Sequence, residues 1–205
     1  MHVQVALPAK RSSVRLRFDP EDRLSEQDYL AFCRLNPDLR VERSAEGEII
    51  IVPPPGGESS YRSLGVARQL GNWALKDRRG KAFDSSAQYI LPDTSSLSPD
   101  ASWVSNKELE RFTPQQRKEF LRLCPEFLVE VLSPSDRLKA PKEKMERWVS
   151  NGAHLAWLID GDRKTVYIYR PDQPMQILRG ASELAGEGPV RGFKLNLRPI
   201  WQGLG

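Results

Sequence analysis

Two acidic residues, Asp100 and Glu130, occupy positions where a carboxylate is unfavourable unless something compensates it. Asp100 follows Pro99 in the segment SPDASWV, and Glu130 lies in the middle of the apolar run FLVEVL. An ionised carboxylate in such surroundings costs several kcal/mol unless it is paired, hydrogen-bonded or bound to a metal. The compensating partner is either one of the many Arg and Lys side chains or a divalent cation such as Mg²⁺, which prefers oxygen ligands.

The other residue types that often carry chemistry are too scattered to form a competing centre. The two histidines, His2 and His154, are far apart in the sequence, so zinc chemistry based on histidine lacks ligands. Cys33 and Cys124 belong to no CxxC or Cys/His cluster, which argues against both a disulfide framework and a zinc knuckle. The two acids therefore remain the main candidates for chemistry.

Hydrophobic spacing and capping signals predict the elements that position these acids. Ser25 and Asp28 form a capping-box pattern at the start of the first helix, which stops near Asn36. The later predicted elements are a hairpin turning at 45–47, a helix at 60–76, strands at 87–91 and 98–104, a helical insert from Thr113, a strand ending at 133–134, a helix at 141–151, a hairpin about 161–162 and two short C-terminal strands. This order favours an α/β domain with a central mixed sheet flanked by helices.

Length, charge and hydropathy restrict the class of protein. With 205 residues, the chain is long enough for one domain, which we place at 23–205 after a partly loose segment at 1–22. The net charge of +4 permits a polyanionic partner without requiring one. The sequence has no stretch of about 18 apolar residues and no apolar N-terminal region, so we expect no membrane association and a cytoplasmic location.

Three segments together resemble one known family. SPDASWV, FLVEVLSPSD and KMERWVSNGAHLAWLID match, in order and spacing, the motif series of the Uma-type restriction endonucleases, a branch of the PD-(D/E)XK nuclease superfamily. The resemblance extends over about residues 20–201 and includes the Pro/Gly-rich turn and second helix. It implies a restriction-endonuclease-like fold and hydrolysis of DNA phosphodiester bonds with Mg²⁺ or Mn²⁺.

The same resemblance assigns roles to individual acids. Asp100 matches the aspartate of the family's "PD" motif and Glu130 matches the glutamate of its strand, and these two are the implied metal ligands. Glu58, just ahead of the second helix, matches the position from which a third acid is usually drawn. The alternative for Glu58 is a charge favoured by the N-terminal end of the helix dipole.

The sequence departs from the superfamily pattern at its lysine. The E-x-K motif requires a basic residue at position 132, where this chain has Leu132. In the Uma branch a lysine of the following helix replaces it, and Lys144 fits by its four-residue step to Trp148, with Lys142 as the second choice. The alternative is that Lys139, Lys142 and Lys144 belong to a solvated helix face.

The implied mechanism is in-line attack of water on a phosphodiester, with Asp100 and Glu130 holding one or two ions and the lysine stabilising charge. A homodimer would suit the cutting of both strands of a duplex. The main alternative is a catalytically inactive nuclease-fold protein that binds nucleic acid or another protein, because the E-x-K lysine is missing. A carboxylate-pair hydrolase acting on sugars is a third class, to which Trp103 and Trp148 would contribute the aromatic lining.

Overall fold

The computed structural model of the chain describes residues 13–19, 24–133 and 138–205. The helices are α1 (Glu26–Leu35), α2 (Gly57–Asp77), α3 (Asn106–Leu109), α4 (Lys139–Ser150) and α5 (Arg198–Gln202). The strands are β1 (Val14–Leu16), β2 (Arg40–Arg43), β3 (Ile49–Val52), β4 (Gly80–Asp84), β5 (Tyr89–Ile90), β6 (Ser96–Leu97), β7 (Ala101–Ser105), β8 (Phe127–Val131), β9 (Leu155–Asp160), β10 (Thr165–Tyr169), β11 (Gln176–Arg179), β12 (Glu183–Ala185) and β13 (Lys194–Asn196).

A six-stranded mixed sheet forms the centre of the fold, in the order β11-β10-β9-β8-β7-β4. Every neighbouring pair is antiparallel except β8 and β9, which are parallel and are joined through α4. A parallel pair needs such a crossover, because a tight turn cannot return the chain in the same direction. Helix α2 packs against β4, β7 and β8, and α4 packs against β9 and β10. The predicted α/β class, with a central mixed sheet flanked by helices, is confirmed.

Alternation along β8 decides which face each of its residues serves. Phe127, Val129 and Val131 belong to the core that also contains the α2 side chains. Leu128 belongs to the opposite core, which contains the α4 residues Met145 and Trp148. Because successive strand residues point to opposite faces, Glu130 shares the α4 face with Leu128.

A second, five-stranded sheet lies beside the first, in the order β1-β3-β2-β6-β5. Helix α1 covers it, with Tyr29, Val41 and Ile49 forming a small separate core. Since Val41 faces α1, the neighbouring β2 residues Arg40 and Glu42 face the other way. Strands β12 and β13 form a third, two-stranded sheet.

The first helix and both hairpins are confirmed, but the predicted strand at 98–104 was wrong in its extent. The chain leaves β6 in the second sheet, passes through Pro99 and Asp100, and enters β7 in the central sheet. Proline has no N–H for the ladder, which explains the break at this point. Strand β4 was not predicted, and the insert from Thr113 forms one 3₁₀ turn rather than a longer helix.

Parts of the N-terminal prediction lie outside the described residues, namely 1–12 with His2, and 20–23; the segment 134–137 with Ser135 does so too. Within the predicted segment 1–22, Val14–Leu16 forms β1 and pairs with β3. None of the helices in the described part of the chain combines the length and apolar character needed to cross a membrane.

Candidate active site

The pairing of β7 with β8 places Asp100 directly across from Glu130. Ala101 pairs with Val129 in this antiparallel ladder, so continuing the register by one residue sets Asp100 opposite Glu130. Opposed residues of an antiparallel pair share a face, which here is the α4 face. The Asp100 carboxylate is also tied to β8, because its Oδ2 accepts a hydrogen bond from the Val131 N–H at 2.7 Å.

Helix α4 brings a cation and a second donor to Glu130. The Lys144 Nζ lies 2.8 Å from Glu130 Oε1, and the Trp148 Nε1–H donates to the same oxygen at 3.1 Å. Residues four apart lie on one side of a helix, so burial of Trp148 against the sheet directs Lys144 to the same carboxylate. The structure thus brings Asp100, Glu130 and Lys144 together.

The other two lysines of α4 point elsewhere. Lys142 Nζ lies over the ring of Tyr167, 4.8 Å from its centroid. Lys139 is 87% exposed and lies 3.8 Å from Glu143, one turn along the same helix. The three lysines therefore do not form one common solvated face.

A third acid, Glu42 of β2, joins this group and was missed from the sequence. Its Oε1 lies 2.8 Å from Lys144 Nζ and accepts a hydrogen bond from the Ser98 N–H at 3.2 Å. Lys144 also donates to the Ser98 carbonyl at 3.0 Å. The alternation of Val41 and Glu42 could have indicated that Glu42 faces away from α1, but not that the central sheet lies there.

Glu58 is placed differently from the expectation of a third site acid. It lies in the first turn of α2 and forms an ion pair with Arg62 at 2.8 Å, and the Leu204 N–H donates to it at 3.3 Å. Helix α2 covers the face of the sheet opposite to Glu130. The structure therefore groups Glu42, and not Glu58, with Asp100, Glu130 and Lys144.

Burial and crowding of negative charge raise the pKa of both principal acids. For Glu130 the foremost cause is loss of solvation, to which repulsion from Asp100 and Glu42 adds; Lys144 opposes these effects, and the resulting pKa is about 7. Burial likewise raises the pKa of Asp100, although the Val131 N–H and the charges of Arg40 and Lys144 work against it.

Lys144 stays an ammonium despite its environment. Burial would lower its pKa, but attraction to Glu130 and Glu42 outweighs this and raises the pKa above the usual lysine value. Three carboxylates thus face one ammonium, with the guanidinium of Arg40 nearby. Full ionisation leaves an excess of negative charge, so the site favours a further cation.

A divalent metal would have to be held by the carboxylate oxygens of Asp100 and Glu130. Over residues 13–19, 24–133 and 138–205 there is no group of three or more His, Cys, Asp or Glu side chains arranged to hold an ion. Asp100 Oδ1 and Glu130 Oε2, however, accept no hydrogen bond from any described residue. Mg²⁺ is commonly bound through one or two carboxylates and keeps several waters, so two such oxygens are donors of the type that this cation prefers.

Comparison with known proteins gives the fold and the family of the chain. A solved structure of "a putative nuclease belonging to DUF820" from Anabaena variabilis has the same fold, with a TM-score of 0.66 and 22% sequence identity over 79% of this chain and 89% of that chain. A search of curated proteins gives no significant match. Residues 26–198 match the family model Uma2, described as "Putative restriction endonuclease". The match covers most of the chain, which therefore belongs to the Uma2 family of restriction-endonuclease-like proteins.

Proposed function

We propose that this protein is a divalent-metal-dependent endonuclease that hydrolyses phosphodiester bonds of DNA. Its family and its fold support a nuclease. The observation that carries the finer assignment is the meeting of Asp100, Glu130 and Lys144 on one face of the central sheet. Mg²⁺ or Mn²⁺ is the proposed cofactor, with Asp100 and Glu130 as its protein ligands.

Each residue of the site has a physical role in this proposal. A divalent cation there would supply Lewis acidity, which polarises a phosphoryl oxygen and makes a coordinated water more acidic. The Val131 N–H fixes the orientation of Asp100, and the Trp148 N–H fixes that of Glu130. Fixed ligands lose little freedom when the cation binds, which favours binding.

Lys144 supplies the positive charge that the E-x-K motif would place at position 132. It arrives from α4 rather than from β8, and the contacts to Glu42 and to the Ser98 carbonyl hold its ammonium in place. An ammonium so fixed can stabilise the negative charge that develops on the phosphoryl group during hydrolysis. Leu132 is thereby free to pack in the apolar core on the α4 face.

Nicking of supercoiled plasmid DNA tests this function. The wild-type chain should nick DNA with Mg²⁺ or Mn²⁺ and not with EDTA, while Asp100→Asn and Glu130→Gln should abolish nicking and remain folded. Glu126→Gln is the matched control, because Glu126 lies just before β8 and accepts a hydrogen bond from the Ser105 N–H, away from the site. Nicking that persists in EDTA, or in both site variants, would refute the proposal. DNA binding without any cleavage would support an inactive nuclease-fold module.

Two further expectations accompany this proposal. The protein acts in the cytoplasm, where its DNA substrate is accessible, and it acts as a homodimer, because two-fold symmetry suits cleavage of two antiparallel strands. Light scattering of the purified chain, with and without a DNA duplex, measures the oligomeric state. A monomer under both conditions would exclude the dimer while leaving the nuclease assignment intact.

A further inference from the structure

Arg40 of β2 is a cation beside the three acids that the mechanism above does not use. It lies two residues before Glu42 and therefore faces the same way, and it is the most exposed residue of its strand. Its Nη2 donates to the Ser98 carbonyl at 3.3 Å, the same carbonyl that accepts from Lys144. The two cations therefore meet at one carbonyl, two residues before Asp100.

The guanidinium of Arg40 has unused hydrogen-bonding capacity. Its Nε is buried without a hydrogen-bond partner, and Arg40 forms no ion pair with any carboxylate in the described part of the chain. Its Nη1 donates to no described residue and, unlike its Nε, is not enclosed by the protein, so an incoming anion can reach it. Its charge already acts on Asp100, whose ionised form it favours.

Arg43 shows that an unpartnered Nε does not by itself indicate a ligand-binding arginine. Its Nε is also buried without a partner, yet its other nitrogens donate to the Leu24 and Thr94 carbonyls. Arg43 is buried and, two residues after Val41, lies on the α1 side of β2, opposite to the face of Arg40. What distinguishes Arg40 is the combination of partial exposure, a free donor and the face it shares with Glu42.

From these contacts we infer that Arg40 is a phosphate-binding residue of the site, which contacts a non-bridging oxygen of the DNA backbone. A guanidinium presents several N–H groups in a planar fork that matches two oxygens of one phosphate, so it anchors the backbone at a fixed position. Lys144 and Arg40 would then flank the bound phosphate, one on the Glu130 side and one on the Asp100 side. This inference rests on the proposed function, since it assumes a DNA substrate at the same acids.

Binding measurements that do not depend on cleavage test the inference. A fluorescent duplex is titrated with the Glu130→Gln chain, with and without Arg40→Ala, at several salt concentrations. Removing Arg40 should weaken binding on the order of 10- to 100-fold, the usual effect of a charged hydrogen bond. It should also reduce the slope of log affinity against log salt by about one, because one phosphate contact fewer releases fewer counterions.

Chemical removal of the phosphate charge identifies the contact. Single methylphosphonates placed along the duplex should weaken binding by the Arg40 chain at one position and have little further effect there on the Arg40→Ala chain. Arg40→Lys guards against simple misfolding and should restore the salt slope but only part of the affinity, because lysine lacks the fork. Arg43→Lys is the matched control and should change neither the slope nor the methylphosphonate pattern.

The outcomes separate this inference from the nuclease assignment. An unchanged salt slope in Arg40→Ala, or weaker binding accompanied only by a lower melting temperature, would overturn the inference and mark Arg40 as structural. Arg40-dependent binding by a wild-type chain that cleaves no DNA would support the inference and refute the nuclease function. A chain that binds no duplex at all would refute both.

Discussion

Replacing Glu130 with glutamine tests whether the buried carboxylate destabilises the folded chain when no metal is bound. Burial and neighbouring charges raise its pKa from the ordinary 4.5 to about 7. At about 1.4 kcal/mol for each tenfold change in proton affinity, keeping the group ionised costs about 3 kcal/mol of folding free energy. The side chain is only 13% exposed, so solvent screens little of this cost.

The sign of the pH dependence follows from the raised pKa. Between about pH 4.5 and 7 the folded chain retains a proton at Glu130 that the unfolded chain has released. The wild-type chain therefore loses stability from this group as the pH rises through that window. Glutamine cannot ionise, so Glu130→Gln should gain stability relative to wild type, by little at pH 4.5 and by up to about 3 kcal/mol above pH 7.

Urea unfolding of both chains at pH 5 and pH 8, without metal, measures this difference. Addition of Mn²⁺ at pH 8 should then stabilise the wild type by about 2.7 kcal/mol at a hundredfold excess over its dissociation constant, and leave Glu130→Gln unaffected. The control Glu126→Gln, which lies away from the site, should keep the stabilisation by Mn²⁺. If Glu130→Gln is less stable than wild type by the same amount at both pH values, the ion pair between Glu130 and Lys144 stabilises the fold, and the predicted cost of ionising Glu130 is refuted.

Three further predictions concern neighbouring residues of the site. Lys144→Ala should lower the single-turnover cleavage rate on the order of 10²- to 10³-fold and largely keep the metal affinity, whereas Lys142→Ala should change the rate little. Equal losses of rate in the two variants would mean that both lysines belong to a general DNA-contacting face. Glu42→Gln should lower the same cleavage rate because it removes one of the contacts that hold the Lys144 ammonium, whereas Glu58→Gln should leave the rate unchanged. A loss of rate in Glu58→Gln and not in Glu42→Gln would mean that the third acid of the site is Glu58 of α2. Trp148→Phe removes the N–H that donates to the Glu130 carboxylate and so makes this carboxylate easier to protonate. As the pH is lowered, titration calorimetry should therefore find that Mn²⁺ affinity is lost at a higher pH than in wild type. An unchanged pH midpoint of Mn²⁺ binding would contradict this role of Trp148.

The sequence predicted the elements whose signals are local. The Ser25–Asp28 capping box forms as expected, with the Ser25 hydroxyl accepting from the Asp28 N–H, and Gly152 adopts a positive φ of 114° just past α4. Both signals depend on a few neighbouring residues and on backbone freedom. Strand β4 was not predicted because GKAFD shows little alternation of apolar and polar residues. Its strand conformation depends on pairing with β7, which is distant in the sequence.

The same distinction applies to the site. Asp100 and Glu130 stood out because a charge in an apolar run needs compensation, and Lys144 and Trp148, four residues apart, both contact Glu130. Glu42 lies in the polar-rich segment RVERSAEGE, where a carboxylate needs no special compensation and so does not indicate a site. Its role depends on how the second sheet packs beside β7 and α4, which is long-range geometry that a sequence pattern does not contain.

A crystal of the wild-type chain with Mn²⁺ and a short DNA duplex, measured for anomalous scattering of manganese, tests whether Asp100 and Glu130 hold the metal at the DNA. We expect a manganese peak in contact with a carboxylate oxygen of Asp100, one of Glu130 and a backbone phosphate of the DNA, with Lys144 beside that phosphate. A duplex bound elsewhere, or a site in which Lys144 still neutralises Glu130 and no manganese is present, would contradict it.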